Sequence, residues 1–243
     1  MVSRDVDAHV RRLWRHRGTT LPSPRRGPRQ QLDLDEILEA GIAVADAEGL
    51  AAVSTRAIAA TFGKTAMALY PYVGTKDNLL ALMQDHASAM PVWEDPATSL
   101  ADALRAWAVA LFEVYLAHPW LAERPWSQAT QGPNEQDWLE RLLRIFREWD
   151  VAPGARTPAI TMLYATVRAC AETTAAYRRM DQRGMAGWRE HAEATGRQIP
   201  DLRRRYPLST GLEPLTPHWQ DNPRAALTGA VQLLATALPR TTG

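Results

Sequence analysis

The sequence predicts an all-α protein. Apolar residues recur at helical spacing, no stretch alternates with the two-residue period of a strand, and prolines, glycines and capping residues fall at helix-length intervals. There is no internal repeat and no sustained heptad. With 243 residues, 46% of them hydrophobic, the chain can bury the core of one small unit and one larger one.

Residues 1–31 form a basic arm. They hold eight arginines (Arg4, Arg11, Arg12, Arg15, Arg17, Arg25, Arg26, Arg29) against Asp5 and Asp7, leaving 20 basic and 25 acidic groups for the rest of the chain. A basic arm on an acidic body grips phosphate without coating the whole surface in nucleic acid. Val6, Val10, Leu13 and Trp14 share one helical face, so a short helix precedes the extended, proline-rich part, in which Arg25, Arg26 and Arg29 can follow a groove.

The next helix opens on Asp33, with Glu36 at capping-box spacing, buries Leu34, Ile37, Leu38, Ile42 and Ala45, and ends at Gly49. Ser54 caps a short helix that buries Ile58, Ala59 and Phe62. Gly63 permits a left-handed turn, and a second short helix buries Leu69 and Met67. Ala59, Gly63 and Leu69 have helix-turn-helix spacing: a small residue where the helices cross, glycine at the turn, and leucine in the angle between them. Such a unit presents its second helix to the major groove of DNA. Pro71 removes an N–H and clashes with the carbonyl of Met67, which ends that helix at Tyr70. Thr75 caps a further helix, with Leu79, Leu80, Leu82 and Met83 inward.

Pro91 and Pro96 frame a linker. Ser99 and Asp102 cap a helix that turns Leu100, Ala103, Leu104, Trp107, Leu111 and Tyr115 inward, and the His118-Pro119-Trp120 turn ends it. Asn134 caps the next, which carries Trp138, Leu142, Phe146 and Trp149. Thr157-Pro158 starts a longer one with Ile160, Leu163, Tyr164, Val167 and Ala171 on one side. Residues 196–222 read as a charged loop. Asn222-Pro223 opens a last helix, whose Leu227, Val231 and Leu234 form an apolar stripe that a second copy could cover. Eight of the nine tryptophans lie beyond residue 90, and aromatic walls suit a pocket for a flat apolar molecule; Trp107, Phe146, Tyr164 and Arg168 are the candidate ligand-binding residues. Arg168 and Glu172, one turn apart, suit a ligand's charge or a solvent-facing ion pair.

Catalysis has no foothold in the sequence. The six histidines share no metal-ligand spacing, and nucleophile-elbow, P-loop and dinucleotide motifs are absent, so no enzyme activity, metal or cofactor is expected. Cys170 excludes an internal disulfide and reads as a small buried hydrophobe. With no long apolar run and no signal-peptide core, the expected place is the cytoplasm and no membrane partner is expected.

Residues 32–88 resemble the tetracycline-repressor (TetR) family. The resemblance rests on Ile37, Ala47-Glu48-Gly49-Leu50, Ser54-Thr55-Arg56, Ile58-Ala59, Phe62-Gly63, Ala68-Leu69-Tyr70, Val73, Lys76 and Leu79-Leu80. It implies a three-helix, helix-turn-helix DNA-binding domain (32–90) followed by a larger helical ligand-binding and dimerisation domain (91–243). The implied function is a ligand-responsive regulator, more often a repressor, that leaves a near-palindromic double-stranded operator when a small apolar or aromatic effector binds. Two such chains form a homodimer. Thr55 and Arg56 match the start of the second helix. Thr65, Ala66, Met67 and Ala68 match the recognition helix, and Tyr70, Tyr72 and Lys76 match phosphate-clamping positions. Lys64 departs from an apolar family position: either its stem packs while the ammonium reaches phosphate, or the helix starts differently. An alternative is a helical small-molecule sensor whose DNA binding has lapsed, consistent with the cation-poor core, Lys64 and Pro71.

Overall fold

Four of the predicted helix caps form with the side chains the sequence nominates. The Asp33 carboxylate accepts from the Asp35 N–H (2.7 Å), Ser54 Oγ from Ala57 (3.1 Å), Thr75 Oγ1 from Asn78 (3.2 Å) and Ser99 Oγ from Asp102 (3.1 Å). The computed structural model describes residues 2–18, 32–92, 97–124, 128–180, 182–213, 215–216 and 218–241. Their helices are α1 (Val2–Leu13), α2 (Leu34–Glu48), α3 (Thr55–Thr61), α4 (Tyr70–Val73), α5 (Lys76–Ala87), α6 (Leu100–Ala117), α7 (Pro133–Glu148), α8 (Pro153–Arg179), α9 (Gln182–Gln198), α10 (Leu202–Arg205), α11 (Pro207–Thr210) and α12 (Asn222–Ala237). Among the described residues the only strand-like pairing is a single bridge between Val151 and Arg240.

Helices α2 to α5 make a head closed around Ile37, Leu38, Ile58, Leu69, Val73, Leu79, Leu82 and Met83, all fully or almost fully buried. In the body, α6, α8 and α12 pack on one another, and α7 lies against α6 and α8. Trp107 meets Trp138 and Tyr164 edge-on, at centroid distances of 5.9 and 5.0 Å, which suits the quadrupoles of the rings.

Several expectations change. Helix α7 starts at Pro133 rather than at an Asn134 cap. Helix α8 starts at Pro153, where Ala152 N–H donates to the Pro239 carbonyl (2.9 Å), so Pro158 falls inside the helix. The Gly154 carbonyl, left without a donor by that proline, is tolerated because both residues face solvent. Helix α9 is additional to the predicted set. It stands out from the body with Trp188 69% exposed, and the described residues of 196–222 include the short helices α10 and α11 and a 3-10 turn at Trp219–Asp221. On α12, Leu227 and Val231 are buried inside this chain, whereas Leu233 is 74% exposed.

The arm changes as well. Helix α1 packs on α5 through buried Leu13 and half-buried Trp14, and leaves Val6 and Val10 exposed. Arg12 donates to the Pro71 carbonyl (3.2 Å), Arg15 to Asp35 (2.8 Å) and Arg17 to Asp137 (2.6 Å). Arg12, Arg15 and Arg17 are therefore committed within the chain. Burial pushes the Asp35 carboxyl up, but the Arg15 hydrogen bond and charge, with His16 and His86, outweigh it and hold the group below its ordinary value.

Candidate nucleic-acid interface and effector cavity

Gly63 makes the turn at φ 62°, a left-handed backbone in which glycine has no Cβ penalty. The Lys64 N–H closes the turn on the Ala59 carbonyl (2.9 Å), and Ala59 and Leu69 are fully buried at the crossing. Beyond the turn, the element is split. A 3-10 turn spans Ala66–Ala68, and α4 then runs through Pro71 to Val73. Proline at the second position of α4 is permitted because the N–H there has no partner inside the helix. The expected stop at Tyr70 is thus replaced by a break before it, and Lys64 lies ahead of the helical segment rather than in it.

Met67, expected to be buried, is 73% exposed, and Tyr70 is 45% exposed. Arg56, Lys64, Thr65 and Lys76 are exposed, and Thr55, Ala66, Ala68 and Tyr72 are half-buried. Arg25, Arg26 and Arg29 lie outside the described residues. The exposed set offers cations for phosphate and a methionine for apolar contact with thymine methyl groups.

Head and body are joined by polar contacts. The Asp46 carboxylate accepts from Trp120 Nε1 (2.8 Å) and meets His118 Nδ1 at 3.0 Å. Arg124 donates to Gln84 (2.8 Å), and Trp138 Nε1 to the Ser88 carbonyl (2.8 Å). Asp85, on α5, is 4% exposed and accepts from the Asn134 and Glu135 N–H groups (3.1 and 3.2 Å). An acid of the head thereby caps the N-terminus of a body helix, satisfying donors that α7 leaves unpaired. Burial pushes the Asp85 carboxyl up to about 6, with the two N–H donors pulling the other way.

Below this joint lies a cavity of about 40 Å³. Gln84 and Ser88 of α5 and its flanking turn, Leu111 and Tyr115 of α6, Trp138 of α7, and Tyr164 and Arg168 of α8 supply its main walls. Of the expected ligand residues, Tyr164 and Arg168 are here. Trp107 and Phe146 are not: both are fully buried in the core, and Trp107 Nε1 is spent on the Trp138 carbonyl (3.0 Å). Periodicity marks a ring as inward but does not say whether it reaches the core or a cavity. Gln84 carried the missed signal, a polar side chain on the face of α5 that also presents Leu80 and Met83. Arg168 and Glu172 form no ion pair among the described residues, and Glu172 is exposed.

Residues 91–217 match the family described as tetracyclin repressor-like, C-terminal domain. The HTH-type transcriptional repressor DrrR1 of Streptomyces coeruleorubidus is 33% identical over 221 residues, which cover 86% of this chain and 78% of that protein. The chain belongs to the TetR family. It is accordingly a DNA-binding transcriptional regulator, with the helix-turn-helix in its head. A second relative, an HTH-type transcriptional regulator of Saccharopolyspora erythraea, is 26% identical over 197 residues, covering 78% of this chain and 81% of that protein. The fold also matches the solved TetR family protein ActR of Streptomyces coelicolor, determined in complex with actinorhodin. The TM-score is 0.70 at 24% identity, covering 86% of this chain and 97% of that one.

Proposed function

We propose that this TetR protein is a repressor that holds a near-palindromic operator as a homodimer in the cytoplasm, and that an apolar or aromatic small molecule in the cavity below α5 releases it. The single observation that carries this reading is the double use of the α5 end. Gln84 and Ser88 line the cavity while Asp85, between them, caps α7. A ligand changes DNA affinity only by binding one head orientation better than another, and a molecule touching both sides of this joint has that leverage. The named function of DrrR1 and the actinorhodin bound to ActR support the reading. Nothing in it calls for catalysis. Within it, residues 32–90 serve DNA, residues 91–243 serve effector and dimer, and Arg25, Arg26 and Arg29 add phosphate contacts.

The dimer face falls on the outer sides of α8 and α12, where Met162 is 55% and Leu233 74% exposed. Two apolar side chains of that size in water on neighbouring helices suit a symmetric contact.

Fluorescence anisotropy with DNA from upstream of the protein's own gene tests the proposal. Specific binding should disappear as effector is added. By reciprocity, an effector that weakens DNA binding tenfold must itself bind about tenfold more weakly when operator is present, about 1.4 kcal/mol of coupling. An effector whose affinity ignores operator would refute the mechanism.

A further inference from the structure

Arg168 stands in the cavity wall as a cation with no ion-pair partner among the described residues. It lies one turn beyond Tyr164 on the inward side of α8 and is half-buried. Among the described residues no carboxylate pairs with it, and its hydrogen bond is to the hydroxyl of Tyr115. A guanidinium does not give up its proton in a protein, so the charge persists. Tyr115 is no counter-ion: burial pushes its hydroxyl above the ordinary phenol value, so it stays protonated.

The one carboxylate in the same wall is already committed. Glu135 sits in the first turn of α7, and its Oε2 accepts from the Gln131 N–H (2.7 Å) and the Thr130 hydroxyl (3.2 Å). A second groove, of about 310 Å³ between α6, α8 and α12, shows the contrast. There Arg224 is ion-paired with Glu113 and lies over the Phe112 ring at 5.2 Å. That arginine is neutralised, and Arg168 is not.

We propose that the cavity selects an acidic effector: a flat apolar molecule bearing a carboxylate held by the Arg168 fork and the Tyr115 O–H, with its ring system against Leu111 and Trp138. The hydroxyl of Tyr115, while accepting from Arg168, keeps its own hydrogen to donate, so the two groups together match both oxygens of a carboxylate. A cavity of about 40 Å³ holds little more than ordered water, so the ring enters by moving side chains, and the charge pairing with Arg168 offsets part of that cost. This inference rests on the effector site proposed above.

The test uses a pair of probes matched in size and differing in charge, 2-naphthylacetate and 2-naphthylacetamide, titrated against the full chain without DNA by tryptophan quenching and calorimetry. The acid should bind at least tenfold more tightly than the amide. Arg168→Met should remove that preference by weakening the acid far more than the amide, Arg168→Lys should keep part of it, and Tyr115→Phe should reduce it a few-fold. Circular dichroism confirms that each variant is folded, and the lysine variant carries the test if the methionine variant is not. Equal affinity for both probes, no saturable binding of the acid, or a preference that survives Arg168→Met would overturn the proposal. An acid that binds as stated yet leaves operator affinity untouched would instead sink the repressor mechanism and leave the anion site standing.

Discussion

The Asp85 carboxylate occupies the place where a side chain at Gly132 would begin. A Cβ built on Gly132 would lie 2.2 Å from Asp85 Oδ1, and that oxygen is pinned by the N–H groups of Asn134 and Glu135. The approach of α5 to α7 therefore needs glycine at 132 for space, not for backbone conformation. Gly132→Ala should force the carboxylate off its donors and destabilise the protein by about 1–3 kcal/mol, the range for stranding buried polar groups. Chemical denaturation of Gly132→Ala, Asp85→Ala and the double variant measures this. The alanine at 132 should cost much less once Asp85 is gone, and additive costs would separate the two residues.

The same carboxyl gives a pH signature. Its folded value of about 6 exceeds the ordinary 3.8, so the folded chain holds this proton more tightly than the unfolded chain does. The contribution is full below about pH 4 and fades as pH rises through about 6. Stability of the parent minus that of Asp85→Asn should thus fall across this window, by about 3 kcal/mol at most. A flat or rising difference would contradict the burial of Asp85.

For DNA, Arg56→Ala should weaken operator binding by about 1–3 kcal/mol if the side chain reads a base, and by less if it meets phosphate alone. Lys76→Ala should weaken binding to all sequences alike and flatten the salt slope by about 1. Replacing Arg25, Arg26 and Arg29 with glutamine should flatten it by up to about 0.9 for each phosphate that is no longer neutralised. Anisotropy at several salt concentrations reads all three, and unchanged slopes would remove these side chains from the interface.

On α12, Leu233→Asp should yield folded monomers, since Leu233 is 74% exposed within the chain. Val231→Asp, at a position 2% exposed, should unfold the protein instead by burying an unpaired charge. Sedimentation together with thermal melts distinguishes the two. A stable dimer of Leu233→Asp would place the interface elsewhere.

What could be read from the sequence was whatever neighbours along the chain decide. Asp33, Ser54, Thr75 and Ser99 cap helices with donors two or three residues away, and Gly63 makes its turn with its own backbone. What could not be read depends on distant partners. The α7 cap comes from Asp85, 49 residues before Asn134, and the start of α8 is held by Pro239. The true face of α12 follows from how α6 and α8 share Leu227 and Val231. The cavity was half legible for the same reason. Trp107, Tyr164 and Phe146 all point inward, and only the packed fold decides that Tyr164 reaches the cavity while the others fill the core.

The two indoles bonded in series, Trp107 to the Trp138 carbonyl and Trp138 to the Ser88 carbonyl, have a consequence for operator choice. Flat rings with few torsions, buried and anchored at both ends, transmit the stiffness of the core to the last turn of the head. Without effector, these bonds favour one head orientation, and changing it means breaking them. The protein should then behave as a fixed-gauge caliper: adding or removing one base pair between the operator halves rotates one half by about a tenth of a helical turn, and the chain should reject that site rather than stretch to meet it.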